Sequence, residues 1–126
     1  MSTALLLIAH GSRNAEANDD LHQLVAMLRR RGLYAVVEAS FLELAKPDIL
    51  EGGRACVERG AARVILVPYF LSPGIHVRQD LKEYREKLSA SFPQVDFVLA
   101  EPLGPHESLA ELVLMRAQQA DAPLRP

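Results

Sequence analysis

Apolar and polar positions alternate between two periods along the chain. A continuous apolar run covers Ala4–Ala9, which is typical of a strand buried on both faces of a sheet. From Asn14 to Arg31 the apolar positions recur every three or four residues, which predicts an amphipathic helix that ends at Gly32. The same change of period occurs three more times. Strands are predicted at 34–41, 63–68 and 95–100. Helices are predicted from about Pro47 to Arg59, around Val77, Leu81, Tyr84 and Leu88, and around Leu109, Leu112, Val113 and Ala117.

This alternation predicts an α/β fold. Strands that alternate with helices form a parallel sheet, because each crossover returns the chain to the same sheet edge. We therefore expect a three-layer sandwich with a four-stranded parallel sheet in the order 2-1-3-4 and helices on both faces, as in half of a flavodoxin-like fold. Residues 1–126 form one predicted domain, with a frayed tail at 121–126. Gly52 and Gly53 would allow close packing of the second helix.

Composition narrows the class of protein. Of 126 residues, 49% are apolar and 24% are charged, which is typical of a globular domain. Fourteen basic residues stand against 16 acidic ones without any basic block, which argues against a nucleic-acid partner. The single cysteine, Cys56, excludes an intrachain disulfide and is expected to be a small buried apolar residue. No apolar run is long enough for a membrane span or a signal peptide, so we expect a cytoplasmic protein without membrane contact.

Polar side chains follow the ends of the predicted strands. His10 follows the first strand, Glu43 the second, His76 the third and His106 the fourth. In a sheet of order 2-1-3-4 ligands bind where the order reverses, between strands 1 and 3, so His10 and His76 should flank that point. Glu43 is alternatively a solvated acid or a cap of the next helix. His22 is expected on the surface.

Two kinds of chemistry suit this edge. Neutral imidazole binds cobalt, nickel, iron or zinc, and two histidines leave open positions on a metal. Imidazole also accepts a proton near neutral pH. The backbone N–H groups of Gly11 and Ser12, at the opening of the first helix, are candidates for anion binding. A dinucleotide fingerprint, a P-loop and a G-x-S-x-G nucleophile elbow are all absent from the sequence.

Three segments resemble one family. "LLLIAHGSR", "FLELAKPDI" and "VPYFLSPGIHVRQDL" are similar, in this order and spacing, to the CbiX/SirB sirohydrochlorin chelatases of the class II chelatase superfamily, and the similarity spans roughly residues 5–105. The third segment is the most specific, because it fits the family pattern P-x-F-L-x-x-G-x-H-x-x-x-D. The matching positions are Pro68, Phe70, Leu71, Gly74, His76 and Asp80.

The resemblance implies a chelatase-like fold and an ATP-independent enzyme that inserts Co²⁺ or Fe²⁺ into sirohydrochlorin, towards cobalamin or sirohaem. Ni²⁺ is a further candidate, and no permanently bound cofactor is expected. His10 and His76 would handle the metal and take part in catalysis, and Glu43 would assist proton removal or metal delivery. The substrate carries many carboxylates. Arg13 and Arg78 are candidates to pair with them, and Gly11, Ser12 and Gly74 are further substrate-binding candidates.

Larger members of the superfamily have two such lobes with the tetrapyrrole between them, and short members pair as homodimers. We therefore expect a homodimer, the alternative being a monomer that joins a different half. A different class of function is also open: a metal or tetrapyrrole carrier would keep the same fold and histidines without catalysing insertion.

Overall fold

The computed structural model describes residues 2–122, and in them four strands alternate with four helices. The strands are β1 (Thr3–Ala9), β2 (Val36–Phe41), β3 (Arg63–Pro68) and β4 (Asp96–Leu99). The helices are α1 (Ala15–Arg31), α2 (Ile49–Glu58), α3 (Ile75–Ser91) and α4 (Glu107–Ala120). All strand pairs are parallel and the sheet order is β2-β1-β3-β4, which confirms the predicted topology. Of the tail expected to fray, only Asp121 and Ala122 lie within the described residues.

The central position of β1 explains its continuous apolar run. β1 pairs with β2 on one side, from Ala4 opposite Val36, and with β3 on the other. One face of the sheet packs against α2 and α3, and the other against α1. The core under α2 and α3 includes Leu6, Ile8, Ile49, Cys56, Leu66, Leu81 and Leu88. The core under α1 includes Leu7, Leu21, Val25, Val37 and Phe41. The predicted three layers are therefore present.

Two adjacent glycines let α2 approach its neighbours closely, as expected. A Cβ atom on Gly52 would lie 2.8 Å from Leu6 Cδ1 and 2.9 Å from Ser40 Cβ. A Cβ atom on Gly53 would lie 2.5 Å from Leu88 Cδ2. The helix propensity lost at these positions is offset by close packing against the sheet and α3.

The start of α2 differs from the prediction. Pro47 was expected in its first turn, but the helix begins at Ile49 and Asp48 is its N-cap. The Asp48 carboxylate accepts a hydrogen bond from the Glu51 backbone N–H at 2.8 Å, and the Glu51 carboxylate accepts one from the Asp48 N–H at 2.9 Å. This reciprocal pair is a capping box, and it satisfies two backbone donors that would otherwise lack partners. Because Asp48 performs this role, Glu43 is not the cap of α2.

The last helix also departs from expectation. Leu109, Leu112, Val113 and Ala117 lie on the predicted fourth helix, yet no residue of α4 is buried. On the α1 side of the sheet, an apolar cleft of about 320 Å³ remains over β1 and β3. Within residues 2–122, none of the helices has the length and apolar content needed to cross a membrane.

Candidate metal site

His10 and Glu43 lie side by side because the pairing of β1 with β2 continues past the strand ends. The Leu42 N–H donates to the Ala9 carbonyl at 2.9 Å, and the Glu43 N–H donates to the His10 carbonyl at 3.0 Å. These bonds hold the two loops in register. The side chains then meet, with His10 Nε2 2.8 Å from Glu43 Oε1.

Gly11 makes this arrangement sterically possible. Its φ is +99°, in the left-handed region that residues with a Cβ atom rarely adopt. A Cβ atom at this position would also overlap the carbonyl oxygen of Glu43. Glycine is therefore required for a reason beyond anion binding: it lets the loop after β1 lie directly against the backbone of Glu43.

The imidazole–carboxylate pair is open to solvent and suited to holding a metal. The His10 and Glu43 side chains are 54% and 55% exposed. An ionised carboxylate that accepts a hydrogen bond from the Nε2–H group orients the ring and leaves Nδ1 with a free lone pair that can bind a metal. The Phe70 ring packs edge-on against the imidazole, with 6.4 Å between ring centroids. The tautomer is inferred from the hydrogen-bond pairing.

His76 lies at the same edge of the sheet, in the first turn of α3. Its side chain is exposed, and Gly74, the N-cap of α3, has open space where a Cβ atom would lie. Gly74 supplies no side-chain cap, so first-turn N–H groups of α3 remain available. Across residues 2–122, no three His, Cys, Asp or Glu side chains are grouped closely enough to hold one metal ion. The joint action of His10 and His76 therefore stays a prediction.

Ser12 is used within the chain. Its backbone N–H donates to Asn18 Oδ1 at 2.9 Å, and its hydroxyl accepts from the Asn14 N–H at 3.0 Å. Asn14 in turn caps α1, which begins at Ala15 and not at the Gly11-Ser12 pair. The Ser12 amide is thus already paired in this conformation, so the geometry does not support its predicted role in binding an anion.

The two arginines predicted to bind substrate carboxylates, Arg13 and Arg78, differ in their surroundings. Arg13 is exposed next to the His10 loop. Arg78 Nη1 lies 3.9 Å from Glu101 Oε2, too far for a strong ion pair at an exposed site. Arg78 also lines a cleft of about 260 Å³ together with Lys82. Lys82 was not among the candidates from the sequence, although its spacing of four residues from Arg78 on one helix could have indicated it.

The remaining histidines have other surroundings. His106 is the N-cap of α4, and its Nδ1 accepts a hydrogen bond from the Ser108 N–H at 3.0 Å. This gives His106 a structural role. His22 is exposed on α1, as predicted, with its ring 5.6 Å from that of Phe41.

Fold and site together define a class of protein: a parallel α/β domain with an open imidazole–carboxylate pair beyond the carboxyl end of its central strand, where such sheets bind ligands. The model of the CbiX family matches residues 4–120. The chain belongs to the CbiX family.

Known relatives fall into two length classes. The chain is 35% identical over 114 residues to the chloroplastic sirohydrochlorin ferrochelatase of Arabidopsis thaliana, covering 90% of this chain and 51% of that protein. It is 30% identical to the sirohydrochlorin cobaltochelatase of Sulfurisphaera tokodaii, covering 91% of each. The chain therefore spans about half the length of the first curated relatives, and nearly all of some others.

The similar solved structures fall into the same two length classes. SirB from Bacillus subtilis with Fe³⁺ superposes with a TM-score of 0.86 at 30% identity, covering 98% of this chain and 49% of that one. A CbiX protein from Marinobacter aquaeolei superposes with a TM-score of 0.81 at 25% identity, covering 94% of this chain and 96% of that one. The fold is therefore found within about half of the SirB chain and over nearly all of the CbiX protein.

Proposed function

We propose that this chain acts as a sirohydrochlorin metal chelatase that inserts Co²⁺ or Fe²⁺ into the macrocycle for cobalamin or sirohaem synthesis. The observation that carries the proposal is the His10–Glu43 pair, 2.8 Å apart and half exposed, in a chain of the CbiX family. Relatives are named as ferrochelatases and cobaltochelatases, and SirB structures hold Fe³⁺ or cobalt. Ni²⁺ is a third candidate, since imidazole also binds it.

The chemistry follows from the exchange of two protons of the macrocycle for one metal ion. Two pyrrole N–H bonds break and the metal takes the place of the two protons, so the site needs both a metal ligand and a base. In our proposal the free ring nitrogen of His10 holds the incoming cation, with His76 as a second ligand. Glu43 accepts one of the two pyrrole protons, and the other passes to solvent water. The metal is a substrate here and no permanently bound cofactor is required.

The carboxylates of the substrate need cationic or N–H partners around this edge. Arg13, Arg78 and the uncapped start of α3 at Gly74 are the groups we assign to them. The exposure of these groups supports the assignment, because an arginine can move to a ligand carboxylate at small cost. Gly11 contributes by holding the His10 loop against Glu43.

We further propose that the chain works in the cytoplasm as a homodimer, the second copy standing where two-lobed relatives have their second lobe. Size-exclusion chromatography with light scattering at micromolar concentration tests this assembly. A strict monomer would exclude the homodimer.

The function itself is tested by following the absorption spectrum of sirohydrochlorin with Co²⁺ or Fe²⁺, with and without the purified protein. Acceleration over the uncatalysed rate supports the chelatase. Binding of the macrocycle or the metal without acceleration would contradict it and indicate a carrier. Repeating the assay with Ni²⁺ establishes the order of metal preference.

A further inference from the structure

A small cleft, called here the α3–β4 cleft, opens between α3 and the end of β4 and has a volume of about 260 Å³. Three of its lining residues, Arg78, Lys82 and Glu101, are charged and exposed. The others are apolar and buried or half-buried: Pro68, Leu81, Leu99, Ala100 and Pro102. Because β3 and β4 both end here, the cleft lies at the carboxyl edge of the sheet, where parallel α/β folds bind their ligands.

The two cations of this cleft lie on one face of α3. Arg78 and Lys82 are four residues apart, so their side chains are separated by only about 40° around the helix axis. Among residues 2–122, Lys82 forms no ion pair with another side chain. The cleft therefore holds two positive charges and one negative charge, and the positive charge is in excess.

Glu101 is held only loosely by these cations. Its side chain is 92% exposed, and its Oε2 atom lies 3.9 Å from Arg78 Nη1, beyond hydrogen-bond distance. An exposed pair of this kind contributes little to stability, so a carboxylate of a ligand can replace Glu101 at small cost. The loose contact also indicates the kind of ligand group for which the cleft is suited, because Glu101 itself presents a carboxylate to it.

We propose that the α3–β4 cleft is a carboxylate-binding subsite, in which Arg78 and Lys82 bind a carboxylate of the ligand and Glu101 is the internal carboxylate that the ligand displaces. An acid side chain of sirohydrochlorin is one source of this group, and a free organic acid is the other. For sirohydrochlorin the inference rests on the proposed function, to which it adds Lys82 as a substrate-binding residue.

The subsite lies beside the metal site and not within it. His76 and Lys82 are six residues apart on α3, which separates their Cα atoms by about 9 Å along the helix axis and by about 120° around it. A carboxylate bound by Lys82 therefore belongs to the periphery of a macrocycle and lies away from the nitrogen atoms that take up the metal. The subsite should contribute to binding of the substrate and leave the insertion step itself unchanged.

The first test is a titration of the protein with sirohydrochlorin in the absence of metal, followed by the absorption spectrum of the macrocycle. Lys82→Gln should raise Kd about fivefold, the factor expected for one exposed ion pair, whereas Lys82→Arg should keep the wild-type Kd. Glu101→Gln should lower Kd, because it removes the competing carboxylate. At about 1 M NaCl these differences should shrink, since salt screens exposed charges.

Lys87→Gln is the matched control. Lys87 is also an exposed lysine of α3, but it lies over the Tyr84 ring, 5.2 Å from its centroid, and outside the cleft. The variant loses the same charge from the same helix, so its Kd for sirohydrochlorin should equal that of the wild type. Circular dichroism confirms that each variant is folded before its Kd is compared.

Citrate, titrated by calorimetry, is the second probe and separates the two sources of the carboxylate. Citrate binding that is lost in Lys82→Gln, with sirohydrochlorin binding unchanged, assigns the subsite to a free organic acid. The inference is overturned if Lys82→Gln alters the binding of neither probe, if neither probe binds, or if Lys87→Gln has the same effect as Lys82→Gln.

Initial rates of Co²⁺ insertion distinguish this inference from the proposed function. Lys82→Gln should raise KM for sirohydrochlorin and leave kcat unchanged. Normal insertion with an unchanged KM keeps the chelatase and refutes sirohydrochlorin as the ligand of the cleft. Binding of sirohydrochlorin that depends on Lys82, in a wild-type protein that does not accelerate insertion, keeps the subsite and refutes the chelatase.

Discussion

Adding one methyl group at each of three glycines tests the geometry of the His10 loop. At Gly74 φ is −75° and a Cβ atom meets nothing within 4 Å. At Gly32 the space is also open, but φ is +69°. At Gly11 φ is +99° and the Cβ atom overlaps the Glu43 carbonyl. The three alanine variants therefore separate backbone strain from steric overlap.

The expected costs follow from these environments. For Gly74→Ala, the reduced entropy of the unfolded chain offsets a slightly weaker N-cap, so the free energy of unfolding should change by less than about 0.5 kcal/mol. Gly32→Ala adds left-handed strain of about 1 kcal/mol. Gly11→Ala adds that strain and a further 1–3 kcal/mol or so of overpacking, about 3 kcal/mol in total. At about 4 °C per kcal/mol, Gly11→Ala lowers Tm by about 12 °C.

Urea and thermal unfolding give the stabilities, and Co²⁺ titration of the folded variants gives the effect on the site. Gly11→Ala should weaken Co²⁺ binding because relief of the overlap moves His10 away from Glu43, whereas Gly32→Ala should bind Co²⁺ as the wild type does. Equal stability of the Gly11 and Gly32 variants, or unchanged Co²⁺ binding by Gly11→Ala, would refute the assigned role of Gly11.

Three further predictions concern groups outside the metal site. Asp48→Ala removes the capping box of α2 and should cost about 1–2 kcal/mol in urea unfolding, with Asp48→Asn losing less. Burial raises the pKa of the Cys56 thiol from 9.0 to about 12. The folded state therefore favours the neutral thiol, and the resulting contribution to stability is complete below pH 9 and is lost as the pH rises towards 12. Over that range the free energy of unfolding should fall by up to about 4 kcal/mol, and by less in Cys56→Ala. A pH dependence unchanged in Cys56→Ala would contradict this. Because the His106 ring caps α4, His106→Ala should lower the helicity measured by circular dichroism and leave the metal-insertion rate unchanged. A loss of the insertion rate with normal helicity would instead place His106 in the site.

Much of the fold could be predicted because strand and helix periods are local properties of the sequence. The prediction of β3 at 63–68 matches the structure, and Gly32 closes α1 as expected, since a left-handed cap favours glycine. The start of α2 was misplaced because Pro47 suits a first turn equally well, and only the contact of Asp48 with Glu51 shows which residue is the cap.

The sequence was sufficient to predict at which edge of the sheet the candidate site lies, but not which of its side chains are in contact. Topology alone placed His10, Glu43 and His76 beyond the strand ends, whereas the 2.8 Å pairing of His10 with Glu43 depends on backbone bonds between two loops. The exposure of α4 was not predictable, because an apolar stripe looks the same whether it packs within its own chain or against a partner.

The initial rate of Co²⁺ insertion into sirohydrochlorin, compared between His10→Ala and His22→Ala, tests the central role of the His10 site most directly. Both variants lose an exposed imidazole, but only His10 contacts Glu43. We expect His10→Ala to lose at least about 100-fold in rate with its fold intact, and His22→Ala to keep the wild-type rate. A His10→Ala variant as fast as the wild type would show that the chemistry takes place elsewhere.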